Sequence, residues 1–231
     1  LDPFRTRPTL TMFAEVRRTD AARTRFEQDG RNIAAAAEKA LQDLGIADQS
    51  LWAPEYEFYV FEAADFASHV NDSHFTMRSP ERFFQNAYHA CNPHDVHDDF
   101  RDEACTLMRD FGMNVRYHHH EVGALGQQEI EGWFADLPTT CDHAVMTKYI
   151  LFNLAHQKGL RVTFMPKPLY DNAGSGWHLH QFLAKGGRNI FNDPKGYAGL
   201  SKTALCYIGG ILRHSQALCA FTNPSTNSYR R

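Results

Sequence analysis

Several short stretches of the chain alternate hydrophobic and polar residues or are dense in aromatic side chains, a pattern that predicts β-strands. These stretches are residues 8–17, 52–61, 114–120, 161–165 and 178–183. Gly186 and Gly187 follow the last stretch and predict a hairpin turn into residues 189–191.

Apolar residues recur at helical spacing in four longer stretches, residues 30–44, 95–111, 139–157 and 201–221. Asp29 is the expected N-cap of the first helix, and Thr139 or Thr140 is the expected N-cap of the third. The glycine pair Gly209-Gly210 is expected to interrupt the fourth helix.

Residues 63–94 are polar and irregular and predict a long loop, with short strands inside it as the alternative. Strands joined by hairpin-like turns and mixed with helices favour an α+β fold over a doubly wound parallel sheet. Since the 231 residues show no internal repeat and no linker, one domain is the simpler arrangement.

Composition narrows the class of protein. The chain is 43% hydrophobic and 13% aromatic with a formal net charge of -3, so disorder is excluded as its main state. That charge provides no overall field for nucleic acid or an anionic membrane, and no apolar run is long enough to span a bilayer. Five cysteines without C-x-x-C spacing argue against a disulfide framework or a zinc site, and we expect a reducing cytoplasm.

Glu55 and Glu57 are the first candidates for chemistry. In a strand they point to one face, about 7 Å apart along the backbone, while Tyr56, Phe58 and Val60 take the other face. Two like charges on one face repel unless a cation or solvent separates them. Two solvated glutamates on an exposed edge are the alternative.

A second cluster combines histidines with glutamates. Alternation places His118 and His120 on one strand face. His119 and Glu121 then take the other face, and a tight turn at the two following glycines would bring Glu129 back beside Glu121. Solvated loop glutamates and partly buried structural histidines are the alternative.

A third cluster begins in a loop of small residues, Gly174-Ser175-Gly176, and continues with His178 and His180 on one strand face. Glycines let backbone N–H groups approach an anion closely. The spacing is not that of a P-loop, and an ordinary glycine turn is the alternative.

Together the three clusters supply glutamate oxygens and imidazole nitrogens, which suit Mg²⁺ or Mn²⁺ better than zinc. Two carboxylate-rich cation sites would suit phosphoryl transfer, where metals neutralise charge on the transferred group.

Five sequence blocks stand in an order that one family shares. They are Pro54-Glu55-Tyr56-Glu57-Phe58, then His119-His120-Glu121-Val122 with Gly126-Gln127-Gln128-Glu129, then Thr163-Phe164-Met165-Pro166-Lys167-Pro168, then Gly174-Ser175-Gly176-Trp177-His178-Leu179-His180-Gln181, and finally Asn223-Pro224-Ser225-Thr226-Asn227-Ser228-Tyr229-Arg230-Arg231. In residues and order these blocks resemble glutamine synthetase, and the resemblance covers essentially the whole chain.

The resemblance implies a curved antiparallel sheet flanked by helices, with residues 1–231 as the N-terminal two-thirds of the family's catalytic domain. It also implies that a small β-grasp domain precedes this stretch and that the rest of the catalytic domain follows it. The isolated 231-residue chain is therefore expected to be incomplete for catalysis.

The implied reaction is the ATP-dependent ligation of ammonia to L-glutamate through γ-glutamyl phosphate, giving glutamine, ADP and phosphate. The family uses ATP as co-substrate and two divalent cations, Mg²⁺ or Mn²⁺. By position, Glu57, Glu121 and Glu129 would hold one cation. Glu55 and His178 would contribute to the other, which clamps ATP phosphate.

The same resemblance assigns His180 to nucleotide phosphate, the backbone of Gly174 to glutamate, and Arg231 to a substrate carboxylate. Ala173 stands in the glutamate site where the family usually has Asn, and Phe182 stands near the nucleotide where it usually has Ser. Beyond these metal and substrate residues, no further catalytic residue is expected within the chain.

The family forms large double-ring homo-oligomers with active sites between subunits, and the resemblance implies the same assembly here. Two alternatives stay open: a γ-glutamyl ligase for another amine, because Ala173 alters the pocket, and a non-catalytic structural homologue. A metal oxygenase built on His118, His120 and Glu121 is disfavoured, because Glu121 faces away from the two histidines in a regular strand.

Overall fold

The computed structural model describes residues 1–81 and 86–231 of the chain. The helices are α1 Gly30–Asp43, α2 Asp98–Asp110, α3 Leu137–Gln157, α4 Lys202–Arg213 and α5 Ser215–Thr222. The strands are β1 Gln49–Phe61, β2 Ala63–His69, β3 Asp72–Arg78, β4 Val115–His120, β5 Gln127–Gly132, β6 Ala135–Asp136, β7 Arg161–Thr163, β8 Trp177–Lys185 and β9 Arg188–Asn189. None of the helices in the described ranges is long and apolar enough to cross a membrane.

Seven strands belong to one sheet whose main order is β4-β5-β1-β8-β9, with β6 and β7 also paired to β1, and β2 and β3 form a separate hairpin. β1 pairs antiparallel with β5, β6 and β7, and β5 pairs antiparallel with β4. Antiparallel strands mixed with helices confirm the predicted α+β class.

The chain divides into two compact units, which we describe separately. The first unit consists of residues Leu1–Ala53, Phe134–Val145 and Leu179–Pro224. The second unit consists of residues Pro54–Trp133, Met146–His178 and Ser225–Arg231.

In the second unit, β1 separates an apolar face from a polar one. Tyr56, Phe58 and Val60 are almost fully buried, as the alternation predicts, while Glu55 and Glu57 point to the opposite face. α2 packs on β4 and β5 through buried residues such as Phe100 and Met108. One face of this part of the sheet therefore packs in the core, and the other face can carry polar groups.

In the first unit, α1 begins where its sequence predicts. The Asp29 carboxylate accepts a hydrogen bond from the backbone N–H of Asn32, and the helix is followed by Gly45 at φ +66°. The predicted hairpin turn at Gly186 and Gly187 also forms, with both residues at positive φ between β8 and β9.

Several predicted elements are wrong in detail. Residues 8–17 form no strand: only Arg17 takes part in an isolated bridge, with Arg25, and Leu10 and Met12 remain exposed. Residues 63–78 form the hairpin β2–β3, which is the short-strand alternative to the predicted loop, and residues 82–85 of that loop lie outside the described residues.

Two helix predictions also need correction. α3 is capped by Asp136, which accepts from Thr139 N at 3.0 Å, and not by either predicted threonine. The predicted helix 201–221 breaks at His214, whereas Gly209 and Gly210 remain helical. A glycine weakens a helix by about 1 kcal/mol but does not by itself end it.

Candidate metal and substrate site

Strand register places two rows of polar side chains on one face of the second unit. Directly paired residues of antiparallel strands share a face. Reading across β4, β5 and β1, the rows are Tyr117–Glu131–Glu55 and His119–Glu129–Glu57. Four glutamates and a histidine therefore converge because of pairing alone, before any side-chain contact is considered.

The second row is the more buried. Glu57, Glu129 and His119 are each 6–7% exposed. His119 Nε2 lies 3.4 Å from Glu129 Oε2, and its Nδ1 lies 3.8 Å from Glu121 Oε2. One ligand atom from each of His119, Glu121 and Glu129 falls within 4.8 Å of the others, as a cation site requires.

The first row is completed by a histidine near the start of β8, His178. His178 Nδ1 lies 2.7 Å from Glu55 Oε2 and 3.4 Å from Glu57 Oε1. His178 therefore bridges the two glutamates that the sequence predicts on one face. We refer to Glu55, Glu57, Glu121, Glu129, His119 and His178 as the carboxylate cage.

The negatively charged carboxylates of the cage repel one another. Burial, and after it the charges of Glu121, Glu55, Glu57 and Glu131, together raise the pKa of Glu129 to about 8. The pKa of Glu121 is also raised, mainly by burial. A positive charge within the cage would offset both effects.

The loop before β8 is fixed to the cage through its backbone. Gly176 N donates to Glu57 Oε2 at 2.7 Å, and Tyr59 OH donates to the carbonyl of Ala173 at 2.6 Å. Gln127, which is completely buried, donates through Nε2 both to the carbonyl of Gly174 at 3.1 Å and to Glu57 at 3.2 Å. Buried hydrogen bonds of this kind hold the loop in one conformation.

Two glycines of this loop leave room for other groups. A Cβ at Gly174 would lie 2.6 Å from the carbonyl oxygen of Pro166 and 2.7 Å from Arg231 Cγ. A Cβ at Gly176 would lie 2.5 Å from Arg231 Nη2, 2.7 Å from His178 Nε2 and 2.9 Å from Glu57 Oε1. Gly176 thus marks the point where the guanidinium, the imidazole and a cage carboxylate meet.

The cage fits a hard divalent cation. Its donors are carboxylate oxygens with two imidazole nitrogens. Glu121 Oε2 is buried and receives no hydrogen bond from any residue in the described ranges. His119 Nδ1 donates to the carbonyl of His120 at 2.9 Å, because a carbonyl only accepts, and Nε2 is the ring nitrogen that lies beside Glu129, at 3.4 Å.

The neighbouring histidines have other partners. His118 Nε2 donates to Asp102 at 3.0 Å, and its Nδ1 accepts from Arg101 at 3.2 Å. His120 Nδ1 donates to the carbonyl of Glu121, and its Nε2 donates to Glu81 at 2.7 Å. Because both ring nitrogens of His118 and of His120 are engaged, these contacts disfavour a metal-oxygenase site on the two histidines.

The predicted nucleotide residues lie in the first unit. His180 follows His178 along β8 and is exposed. Phe182 packs edge to face on Phe134, with ring centroids 4.9 Å apart. Arg231, the predicted substrate residue, lies in the second unit, where its Nη2 donates to His178 Nε2 at 3.3 Å.

Sequence reasoning missed several members of the site. Alternation placed His119 on the same strand face as Glu121. Only the strand pairing shows that His119 lies directly opposite Glu129. No sequence motif singles out Gln127 or Tyr59, because their role depends on where the 173–176 loop lies in the fold. Gly176 was visible only as part of a glycine turn.

The profile described as "Glutamine synthetase, catalytic domain" matches residues 27–231. The chain belongs to this family. Its relatives include the protein named glutamine synthetase of Vibrio cholerae serotype O1, which is 41% identical over all of this chain and 52% of its own length. The protein of the same name from Pasteurella multocida is 39% identical with the same coverage.

A solved structure of similar fold is the cryo-electron microscopy structure of Plasmodium falciparum glutamine synthetase. It aligns with a TM-score of 0.84 at 26% identity, over 91% of this chain and 45% of that chain. The similarity confirms the glutamine synthetase catalytic-domain fold expected from the sequence blocks. This chain spans about half the length of the glutamine synthetases that it matches.

Proposed function

We propose that this chain carries the cation-binding centre and part of the glutamate site of a glutamate–ammonia ligase. The reaction would join ammonia to L-glutamate with ATP, through γ-glutamyl phosphate, and release glutamine, ADP and phosphate. The observation that carries this proposal is the convergence of the carboxylate cage with Arg231 and the 173–176 loop. Membership of the glutamine synthetase family sets the class of reaction.

The residues divide between two cations. Glu57, Glu121 and Glu129 would hold one, with His119 beside them, and Glu55 and His178 would contribute to the other. When bound, Mg²⁺ or Mn²⁺ would neutralise charge on the transferred phosphoryl group and polarise the carboxylate that receives it.

The chain's own groups would bind and orient glutamate. The Arg231 guanidinium offers a planar fork for a carboxylate, and its Nη2 already lies near His178 at the edge of the cage. The carbonyl groups of Ala173 and Gly174 are engaged by Tyr59 and Gln127, so the loop would present a fixed surface to the substrate. Because Ala173 lacks a side-chain amide, this contact would rely on the backbone.

For the nucleotide, we propose His180 as a phosphate contact and Phe182 as a ring near the nucleotide. The edge-to-face pair of Phe182 with Phe134 holds the Phe182 ring in one orientation within the first unit.

At the level of the whole protein, we propose that residues 1–231 are the N-terminal two-thirds of the catalytic domain, which the partial coverage of the relatives supports. We also propose a homo-oligomer with active sites between subunits, as a double ring, working in the cytoplasm. Five free cysteines suit a reducing compartment.

The test is an assay of the purified protein at its natural length. Glutamine and phosphate should form together only when glutamate, ammonium, ATP and Mn²⁺ or Mg²⁺ are all present. Glu57→Gln should reduce turnover by at least about 100-fold, whereas Glu27→Gln, whose side chain is 83% exposed, should leave it unchanged. Wild-type turnover in Glu57→Gln, or phosphate release that ignores glutamate, would contradict the proposal.

An amine panel in the same assay separates the two ligase classes. Ammonium should give the fastest product formation, and a primary amine that outperforms it would point to a different γ-glutamyl ligase.

A further inference from the structure

Glu131 is a buried carboxylate that the proposed function does not use. It lies between Tyr117 and Glu55 in the first row and is 5% exposed. One of its oxygens falls within 4.8 Å of ligand atoms of Glu55 and Glu129. A buried carboxylate beside two others raises the free energy of the fold unless it is paired, so its partners matter.

Both oxygens of Glu131 are held by neighbours on β4. Arg116 Nη1 donates to Oε2 at 2.8 Å, and Tyr117 OH donates a short hydrogen bond to Oε1. The strand register shifts between Val115 and Tyr117, which is a bulge at Arg116. Bulges redirect a side chain, and this one lets adjacent residues reach the same carboxylate.

The Tyr117 ring is held at its hydroxyl and over one face. Its hydroxyl is bonded to Glu131, and the Arg116 guanidinium carbon lies 5.1 Å from its centroid. The same guanidinium lies 5.5 Å from the Trp133 ring. Tyr117 is 42% exposed, so these contacts rather than burial set its orientation.

Tyr117 in turn contacts the histidine of the second row. The Tyr117 and His119 rings are stacked with centroids 5.8 Å apart and an interplanar angle of 27°. His89 also stacks on His119, at 4.4 Å and 17°. Stacked rings restrict rotation of the imidazole about χ2. His119 then keeps its Nε2 edge directed at Glu129.

We infer that Glu131 and Tyr117 are positioning residues, which act through the His119 ring to hold its Nε2 at the carboxylate cage. This inference rests on the proposed function, because it assigns the pair a purpose only if the cage binds a cation. Groups that orient a metal-binding histidine change cation affinity by about 10- to 100-fold when they are removed. Neither Glu131 nor Tyr117 needs to touch the cation.

The test is a double-mutant cycle read as Mn²⁺ affinity, with free Mn²⁺ followed by electron paramagnetic resonance. Tyr117→Leu removes the ring and should weaken binding about 10-fold. Tyr117→Phe keeps the stack but loses the hydrogen bond, and Glu131→Gln loses the charge, so each should have a smaller effect. Tyr197→Leu, at an 82% exposed tyrosine, is the matched control and should have none.

The deciding step repeats Tyr117→Leu and Glu131→Gln in a His119→Gln background. If the pair acts through His119, neither should then change Mn²⁺ affinity by more than about 2-fold. An undiminished loss in that background would overturn the inference, and a Glu131→Gln loss larger than that of Tyr117→Leu would make Glu131 a direct ligand instead. A wild-type protein that binds no Mn²⁺ would overturn the proposed function itself.

Discussion

Replacing Gly176 by alanine tests whether the guanidinium, imidazole and carboxylate meet as described. The added Cβ would lie 2.5 Å from Arg231 Nη2, 2.7 Å from His178 Nε2 and 2.9 Å from Glu57 Oε1. Ordinary contacts of such atoms begin near 3.5 Å, so each group must withdraw by about 0.5 Å or more. The perturbation is one methyl group, but it acts on three functional side chains at once.

Gly176→Ala should change the free energy of unfolding less than it changes Mn²⁺ affinity. Two of the three crowded atoms belong to the exposed side chains of Arg231 and His178, which can rotate away, so the free energy of unfolding should fall by only about 1 kcal/mol. Binding centres, in contrast, tolerate displacements of about 0.5 Å. We expect Mn²⁺ affinity to fall about 10-fold, or about 1.4 kcal/mol.

The assay is calorimetric titration of Mn²⁺ into wild-type protein and Gly176→Ala, with urea unfolding of both. Gly209→Ala is the matched control, because that helical glycine has open space around its Cβ position. The control should gain about 0.5–1 kcal/mol of stability and keep its Mn²⁺ affinity. Wild-type Mn²⁺ affinity in Gly176→Ala would refute the convergence on which the site is built.

Further predictions follow from the same contacts. Glu129→Gln relieves repulsion in the cation-free protein, so it should raise the free energy of unfolding by about 1–2 kcal/mol in urea while weakening Mn²⁺ binding; a loss of stability would contradict this. Burial alone would raise the pKa of Asp95, but hydrogen bonds and charge from Arg101 outweigh it and hold that pKa below its usual range. Stability from this pair is present above the unfolded pKa of about 3.9 and lost as pH falls through the folded pKa. Urea unfolding from pH 5 to 2.5 should show that loss in wild type, and Asp95→Asn should flatten it. Tyr59→Phe removes the hydrogen bond to Ala173 and should raise the KM for glutamate more than that for ATP, which steady-state kinetics would show; equal changes would contradict the assigned loop contact.

Sequence periodicity predicted those elements whose apolar face meets a core. The β1 alternation was correct because apolar Tyr56 and Phe58 lie on one face of the strand and Glu57 lies on the opposite, polar face. It failed at residues 8–17, where the backbone pairing within the described residues is limited to an isolated bridge between Arg17 and Arg25. The residues of β5 were not predicted as a strand, because Gln127–Gly132 is polar yet buried on both sides by pairing.

The candidate site was predictable in its residue types and less so in its connections. Same-face spacing identified Glu55 with Glu57, and the glycines indicated the turn that returns Glu129. Cross-strand neighbours depend on register, which local periodicity does not specify. For that reason the sequence reasoning left His119 outside the metal set, although it lies directly opposite Glu129.

The carboxylate of Glu57 has a consequence for how the two halves of the site communicate. One oxygen, Oε2, accepts from the backbone of Gly176 and from Gln127, while Oε1 lies beside His178. The loop and the cage therefore share a single rigid side chain, and a change at either end alters the free energy of the other.

Thermodynamic linkage then requires reciprocity between ligands. If the 173–176 loop holds the amino acid, a cation that fixes Glu57 must tighten glutamate binding by the same factor by which glutamate tightens cation binding. Binding of the cation and binding of glutamate would then be coupled, and the protein would not bind its two ligands independently.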